Sequence, residues 1–278
     1  LIFLSVIQIN NVLAQDAIEE ITVSSFYIDQ DSINPPIHII SGDDMNNMAT
    51  QSIGESIDNL LGVSSADYGA GVGQPIIRGM AGNRVKVMTN GRVNRDVSAI
   101  GVDHVVEVDL NNIQQIEVIR GPSSIFYSNG TTGGVINVVD NTIARTDFTE
   151  EALRIGGEAQ SVNGGHSGEI SYQNNFGGLN FSLAYKDSDF NNFEIPFGSI
   201  IHEEEEHEEE GHEEHEEHEE NPKFLPNTDF SNESQRFGVS KTGDWGYVGV
   251  SFRGIESVYG IPFHGEEQEE EEEGEHEE

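Results

Sequence analysis

Residues 179–190 read LNFSLAYKDSDF, and their alternation decides the fold of the second half of the chain. Apolar side chains occupy one set of alternate positions and mainly polar ones the other: Leu179, Phe181, Leu183 and Tyr185 against Asn180, Ser182, Ala184 and Lys186. A period of two predicts a β-strand with one apolar and one polar face.

Four further stretches of this kind surround it. LRIGGEAQS and HSGEISYQNN precede it, SQRFGVSK and WGYVGVSFRGIES follow it, and glycine-containing turns lie at 163–165, 176–178 and 242–244. Strands of about ten residues have the length that crosses a membrane, whereas strands of soluble sheets average about five or six. Beyond about residue 146 the sequence therefore predicts an antiparallel transmembrane sheet.

The preceding stretch, from residue 37 to about 141, has the pattern of an α+β domain. A strand at PIHIIS precedes a predicted helix cap at Ser41 or Asp43, and apolar residues follow near helical spacing at Ile53, Ile57, Leu60 and Leu61. Gly62 is expected to end the second helix of this region. PIIRGM and NRVKVMTNGRVNRD follow as strands, and the Asn90-Gly91 pair predicts a type I′ hairpin turn. The stretch IQQIEVIRGPSSIFYSNGTTGGVINVVDN predicts two more strands around a glycine-rich loop.

Charge is concentrated in two runs. The chain has 51 acidic and 13 basic residues and a formal net charge of -38, but the runs 202–220 and 266–278 hold 13 and 10 of the glutamates. Such blocks repel themselves and stay solvated, outside any packed core. The scattered bases give no stripe for phosphates, so we expect no nucleic-acid partner. The absence of cysteine excludes disulfides, thiolate metal sites and thiol catalysis.

The first fifteen residues, LIFLSVIQINNVLAQ, are apolar and end in small residues, which predicts the end of a secretory signal peptide. The stretch is too short to span a bilayer as a helix. A first buried strand is the alternative. The residues 16–36 that follow combine an acidic-apolar segment, IEEITVS, with a linker.

Three of these stretches resemble one family. IEEITVS resembles the TonB box, PIIRGMAGNRVKVMTNGR resembles central plug strands, and IEVIRGPSSIFYSNGTTGGVINVVDN resembles the closing motif of the plug. On these motifs the chain resembles the N-terminal part of a TonB-dependent outer-membrane receptor, and more narrowly a zinc-uptake receptor. The resemblance implies that the box binds the periplasmic TonB protein by strand addition, through Ile18, Glu19, Glu20, Ile21, Thr22, Val23 and Ser24.

The resemblance also implies the domain organisation. We expect an α+β plug domain at 37–145, followed at 146–278 by the first strands of a transmembrane antiparallel β-barrel. That barrel is incomplete here, because about 22 strands close a plugged transporter. Arg78 and Arg120 of the plug are expected to pair with carboxylates of the lumen wall.

Connectivity predicts the orientation of the acidic runs. In an up-and-down sheet, the loops at 190–232 and 259–278 emerge on one side and the tight turns on the other. Outer-membrane barrels have long loops outside and short turns in the periplasm. We therefore expect extracellular acidic loops, a periplasmic N-terminus, and contact of the wall with outer-membrane lipids in a Gram-negative cell.

The histidines of these loops are the candidate metal ligands. The first run holds His202, His207, His212, His215 and His218 at spacings of three or five, beside carboxylates such as Glu203, Glu208 and Glu213. His264 and His276 accompany the second run, and we expect His264 to be the more ordered ligand. Imidazole and carboxylate suit zinc, but copper and nickel also bind imidazole, and glutamate clusters bind calcium. Zinc is preferred through the resemblance.

We expect a transporter and not an enzyme, with no cofactor. His-Glu-x-x-His does not occur, the glycines at 69, 71 and 73 fit no nucleotide fingerprint, and the acids of the runs have no apolar pocket to separate their pKa values. Two alternatives stay open. One is a siderophore or haem receptor with acidic loop decoration, and the other is a surface metal-binding protein without transport.

Overall fold

The computed structural model describes residues 37–41, 51–199 and 223–262. The predicted signal peptide and the segment 18–24 lie outside these ranges. Within them the elements form a mixed N-terminal domain and a long antiparallel sheet, which we call the wall.

The N-terminal domain is built on a five-stranded sheet of order β1-β6-β7-β4-β5. Its strands are β1 (Ile37–Ser41), β4 (Val85–Thr89), β5 (Arg92–Val93), β6 (Ile113–Arg120) and β7 (Gly134–Asp140). The β4–β7 pairing is parallel, and the other pairings of the sheet are antiparallel. A separate pair, β2 (Val63–Asp67) with β3 (Gly73–Ile77), flanks the short helix α1 (Ile53–Ile57), and three short 3-10 helices lie at Gly82–Arg84, Val97–Ala99 and Pro122–Phe126.

One face of the sheet makes the main core of this domain. Ile116, Val118, Ile136 and Val138 of the central strands pack there with Ile53 and Ile57 of α1. The central strands β6 and β7 are buried on both faces, which explains their nearly continuous apolar sequence.

The hairpin prediction is confirmed. Asn90 and Gly91 join β4 to β5 with φ values of 50° and 78°, so both central residues take the left-handed conformation that a type I′ turn requires.

A helix capped by Ser41 or Asp43 would occupy residues 42–50, which lie outside the described ranges, so that prediction is not tested; the described helix is a later one. Ser52 precedes α1, and its Oγ accepts a hydrogen bond from the Glu55 N–H. Ser41 is the last residue of β1 and Asp43 lies outside the described ranges. The helix is one turn long, so Leu61 falls beyond it and is 92% exposed.

The wall has the strand order β12-β11-β10-β9-β8, which is the up-and-down arrangement predicted. Its strands are β8 (Ala152–Ala159), β9 (His166–Phe176), β10 (Leu179–Phe190), β11 (Phe230–Gly243) and β12 (Gly246–Tyr259). The bounds of β10 coincide with the quoted stretch. Phe190, Phe230 and Tyr259 lie side by side in register. The long connection after β10 and the segment after β12 therefore start at the same end of the strands.

The polar face of β10 is the buried one. Asn180, Ser182, Ala184 and Lys186 are 1–6% exposed, while Leu183 on the opposite face is 45% exposed. The buried face is covered by the N-terminal domain, from which Asn111 Nδ2 donates a hydrogen bond at 2.9 Å to the Tyr185 carbonyl. The outward apolar face has the character of a lipid-facing surface.

Glycine in β11 allows the two units to touch. A Cβ on Gly238 would overlap the Thr142 carbonyl oxygen, and the neighbouring Ser240 Oγ donates to the Ala144 carbonyl at 3.0 Å. The segment after β7 therefore runs directly along the inner face of the wall.

No helix within the described ranges is both long and apolar enough to cross a bilayer.

Candidate functional site

Buried ion pairs fasten the N-terminal domain to the wall. Arg236 of β11 lies with its Nε 2.7 Å from Asp109 Oδ2 and its Nη1 3.1 Å from Asp140 Oδ2. Arg253 of β12 also contacts Asp140. The Arg236, Asp109 and Asp140 side chains are 2–3% exposed, so both carboxylates depend on the wall for countercharge.

The pKa of Asp140 reports this environment. Burial by itself would raise it, but the charges of Arg236 and Arg253 and hydrogen bonds from Thr142 lower it below its ordinary value. The carboxylate is therefore held ionised.

The ion pairs between the N-terminal domain and the described wall strands have the opposite sign to the expected one. We expected Arg78 and Arg120 to bind carboxylates of the wall, whereas strands β8–β12 supply arginines and the N-terminal domain supplies aspartates. Within the described ranges, Arg120 Nη1 instead donates to the Leu61 carbonyl at 2.6 Å. Sequence alternation does mark Arg236, because a charge on the inward face of a membrane strand needs a partner.

A second polar cluster joins the domain to β8 and β9. Gln51 Nε2 donates to Glu158 Oε2 at 2.8 Å, and Gln160 Nε2 donates to Glu158 Oε1 at 2.7 Å. Burial, followed by the negative charges of Asp67, Glu158 and Asp58, raises the pKa of Glu55 above its ordinary 4.5. This part of the contact between the N-terminal domain and the wall thus carries excess negative charge.

The end of the wall from which the segments after β10 and β12 start is also in contact with the domain. Phe190 and Phe230 stack there with ring centroids 6.4 Å apart, and both are buried. Ala70, Val72 and Val105 of the domain complete this apolar cluster. We call the surface formed by residues 68–72 and 101–105 the apex of the domain.

A histidine of the apex faces the end of β12. His104 Nδ1 lies 2.9 Å from the Tyr259 hydroxyl, and the two rings meet edge to face with centroids 6.3 Å apart. The loop carrying His104 is held by the buried Gln74 of β3, whose Nε2 lies 2.9, 2.6 and 3.0 Å from the carbonyls of Ser98, Gly101 and His104. A single amide thus fixes the loop that presents this imidazole.

His104 was not among the residues predicted from the sequence. It stands in GVDHVVEVD, between strands and outside the two acidic runs, where no ligand spacing draws attention to it. Its position becomes informative only when the fold brings it to Tyr259, 155 residues later.

The predicted metal ligands lie outside the described ranges, in the two acidic runs: His202, His207, His212, His215, His218, His264, His276, Glu203, Glu208 and Glu213. The same holds for the predicted partner-binding segment 18–24. Among the described residues, no group of three or more histidines and carboxylates is arranged to hold a metal ion.

Comparison with known proteins assigns the fold. Residues 29–135 match the family model of the TonB-dependent Receptor Plug Domain. The Vitamin B12 transporter BtuB of Photobacterium profundum is 27% identical over 120 residues, which cover 43% of this chain and 20% of that protein.

Solved structures extend the likeness to the wall. The copper transporter OprC superposes with a TM-score of 0.60 at 14% identity over 82% of this chain and 31% of that one. The FrpB iron transporter of Neisseria meningitidis gives a TM-score of 0.58 at 16% identity over 80% of this chain and 31% of that one. The chain therefore spans between a fifth and a third of these relatives.

The matched family consists of transporters and not enzymes, in agreement with the sequence analysis. The plug with its mixed sheet, followed by antiparallel strands, also agrees with the predicted fold. Residues 29–135 thus match the TonB-dependent receptor plug domain, and strands β8–β12 have the fold of the barrel wall that follows the plug in such outer-membrane receptors of Gram-negative bacteria.

Proposed function

We propose that this chain forms the plug and first barrel strands of a TonB-dependent transporter for a transition-metal ion, with zinc as the preferred substrate. The acidic runs at 202–220 and 266–278 capture the metal outside the cell. Residues 18–24 bind the TonB protein in the periplasm, and its pull displaces the plug so that the ion passes.

One observation carries the proposal. The segments that contain the two histidine-rich runs start at the same end of the wall strands. His104 of the plug lies at that end, next to Tyr259. His264 follows Tyr259 by five residues, which at about 3.5 Å per residue keeps it within roughly 18 Å of the end of β12. A metal bound at His264 therefore starts within reach of the plug.

His104 is suited to receive such an ion. A metal-binding imidazole normally has its second nitrogen fixed by a hydrogen-bonding partner, and Tyr259 supplies one at Nδ1. When Nδ1–H donates to the Tyr259 oxygen, the lone pair of Nε2 is free for a metal. Metal binding would select this tautomer.

The buried ion pairs account for the need for energy. While Asp109 and Asp140 remain paired with Arg236 and Arg253, the plug stays fastened to the wall. Separating a buried pair leaves charges without partners, at a cost of about 3–5 kcal/mol. A pull on the N-terminal segment has to supply this cost.

A siderophore or haem receptor is the alternative. The solved structures with this fold include ferric-catecholate and ferric yersiniabactin receptors, whose substrates are organic iron chelates. Such a chelate needs aromatic and arginine contacts in the outer loops, and the two acidic runs contain neither residue type. The composition of the runs therefore favours a bare cation.

Metal titration of the receptor in detergent tests the proposal. Calorimetry with Zn²⁺, Cu²⁺, Ni²⁺, Ca²⁺ and a ferric siderophore would compare the wild type with a deletion of 202–218 and with His104→Ala. His38→Ala, an exposed histidine on β1, is the matched control.

We expect zinc binding that loses most of its sites in the deletion and weakens in His104→Ala but not in His38→Ala. Because protons compete for imidazole, affinity should fall between neutral pH and about pH 5. Zinc binding that is independent of the run and of pH would contradict the proposal, and siderophore binding without zinc binding would favour the alternative.

A further inference from the structure

The connection between β10 and β11 has a root that is fully described. Phe190 and Phe230 are direct cross-strand partners, so they close the base of the intervening residues 191–229. Both side chains are buried, at 1% and 4% exposure, although they lie at the ends of their strands. Strand ends at a loop are normally solvated, so something must cover these rings.

The covering surface is the plug turn at 68–72. Ala70 and Val72 pack against the two phenylalanines, together with Val105. A Cβ on Gly71 would overlap the ring of Phe230, so only glycine leaves room for it. The φ angle of Gly71 is one that other residues adopt freely, which leaves space as the reason for glycine here. Gly71 is thus a seat for Phe230.

Hydrogen bonds join the two sides of the root above this seat. Asn192 Oδ1 accepts from the Thr228 N–H at 2.8 Å and the Asp229 N–H at 3.0 Å. Thr228 Oγ1 accepts from the Phe193 N–H at 2.9 Å. None of these bonds involves a plug residue. We call this set of hydrogen bonds, made by Asn192, Phe193, Thr228 and Asp229, the clasp.

The plug turn also contacts the clasp, at the backbone of Thr228. A Cβ on Gly69 would lie 3.0 Å from the Thr228 carbonyl oxygen, so backbone meets backbone at that point. The turn is closed by its own hydrogen bond, from the Tyr68 N–H to the Val72 carbonyl at 2.9 Å. The Tyr68 amide therefore reports whether the turn is intact.

We propose that Phe230 and Gly71 couple the root of this connection, residues 190–193 and 228–230, to the plug turn at 68–72. With the ring in its seat, the arrangement of the root and that of the plug turn depend on each other. Coupling of this kind is reciprocal, so whatever orders the root stabilises the turn, and displacement of the plug loosens the root. Phe230 and Gly71 are positioning residues, and their part in metal uptake rests on the proposed function.

The coupling gives the capture run a route to the plug. Residues 202–218 lie within the connection whose base is the clasp. A change at the root that follows metal binding by this run would reach the turn through the Phe230 ring, without any ligand from the turn itself.

Hydrogen exchange of the intact receptor in detergent tests the coupling without metal. Asn192→Ala breaks the clasp but touches no plug residue, and its effect on the Tyr68 segment would be measured in three backgrounds: wild type, Phe230→Ala and Gly71→Ala. Phe181→Ala and Gly168→Ala are matched controls, since Phe181 lies on the outward face of β10 and a Cβ on Gly168 meets nothing within 4 Å.

We expect Asn192→Ala to accelerate exchange at Tyr68 about tenfold in the wild-type and control backgrounds, and less than about twofold where Phe230 or Gly71 is changed. Equal acceleration in all backgrounds would overturn the proposal. So would no acceleration in the wild-type background.

A second arm adds Zn²⁺ alone. We expect it to slow exchange at Tyr68 in the wild type but not in Gly71→Ala, while calorimetry shows the same zinc stoichiometry for both. Failure of zinc to bind would refute the proposed function and leave the clasp experiment to decide the coupling. Zinc binding that slows exchange equally in both proteins would overturn the coupling.

Discussion

Arg236 is the side chain on which the attachment of plug to wall depends most. It reaches two carboxylates of the plug at once, while Arg253 reaches one and is 34% exposed. A buried charge that loses its partner cannot be compensated by water. The two arginines should therefore differ strongly when they are neutralised.

Arg236→Gln should lower the free energy of plug unfolding by about 3–5 kcal/mol, because it leaves Asp109 without the partner that β11 provides and weakens the partnership of Asp140. Arg253→Gln is the control and should cost clearly less, since its site is partly solvated. Denaturant unfolding of the purified receptor would measure both. Equal costs would show that the buried pair does not fasten the plug.

Glu55 provides a prediction on pH. Because burial and its acidic neighbours raise its pKa in the folded protein, its ionised form costs stability above the raised value. That cost fades as the pH falls through the raised value towards the ordinary 4.5. Glu55→Gln should therefore stabilise the plug at neutral pH, by an amount that shrinks on acidification.

Denaturant midpoints at several pH values would follow this difference. Glu150→Gln, between the N-terminal domain and β8, is the control for the loss of one negative charge. A Glu55→Gln stabilisation that grew on acidification would refute the sign. Asp140 works in the opposite direction, because its lowered pKa keeps its contribution to stability intact until the pH falls below the ordinary carboxylate range.

At the scale of elements, the alternation of β10 separates lipid from lumen. The strand has apolar side chains outward up to Tyr185, and then Asp187 and Asp189 continue the same face. The apolar band therefore ends near residue 186, and the acidic continuation belongs outside the hydrocarbon layer.

Leu183→Arg should destabilise the receptor in lipid vesicles by about 2–4 kcal/mol, the cost of a cation on the lipid face near the bilayer centre. Asp187→Arg lies on the same face beyond the band and should cost less than about 1 kcal/mol. Folding into vesicles against denaturant gives both values. Similar costs would place the band elsewhere on the strand.

The success of sequence reasoning also varies by element. The bounds of β10 and the Asn90-Gly91 turn were predictable, because both follow from local patterns that tertiary packing reinforces. The cap of α1 was not, since several polar residues precede the helix and packing selects Ser52 among them. Arg236 with Asp140, and His104 with Tyr259, join residues about 100 or more positions apart, and no local pattern encodes such pairs.

For the whole molecule, topology matters more than any single ligand. The short turns at 176–178 and 242–244 lie at one end of the up-and-down wall. The segments after β10 and β12 therefore start at the other end, beside the plug apex. The segments that lead to the two acidic runs thus leave the wall at this end of its strands, which we call the entrance. The length of the strands separates the entrance from the turns.

The central claim is that metal captured at this entrance is imported by pulling on the N-terminal segment. The most direct measurement is zinc accumulation in energised cells at limiting zinc, comparing the intact receptor with a deletion of 18–24. We predict that the deletion abolishes accumulation inside the cell while zinc bound at the cell surface is unchanged. Accumulation that persists without 18–24, or an intact receptor that accumulates no zinc, would contradict the account.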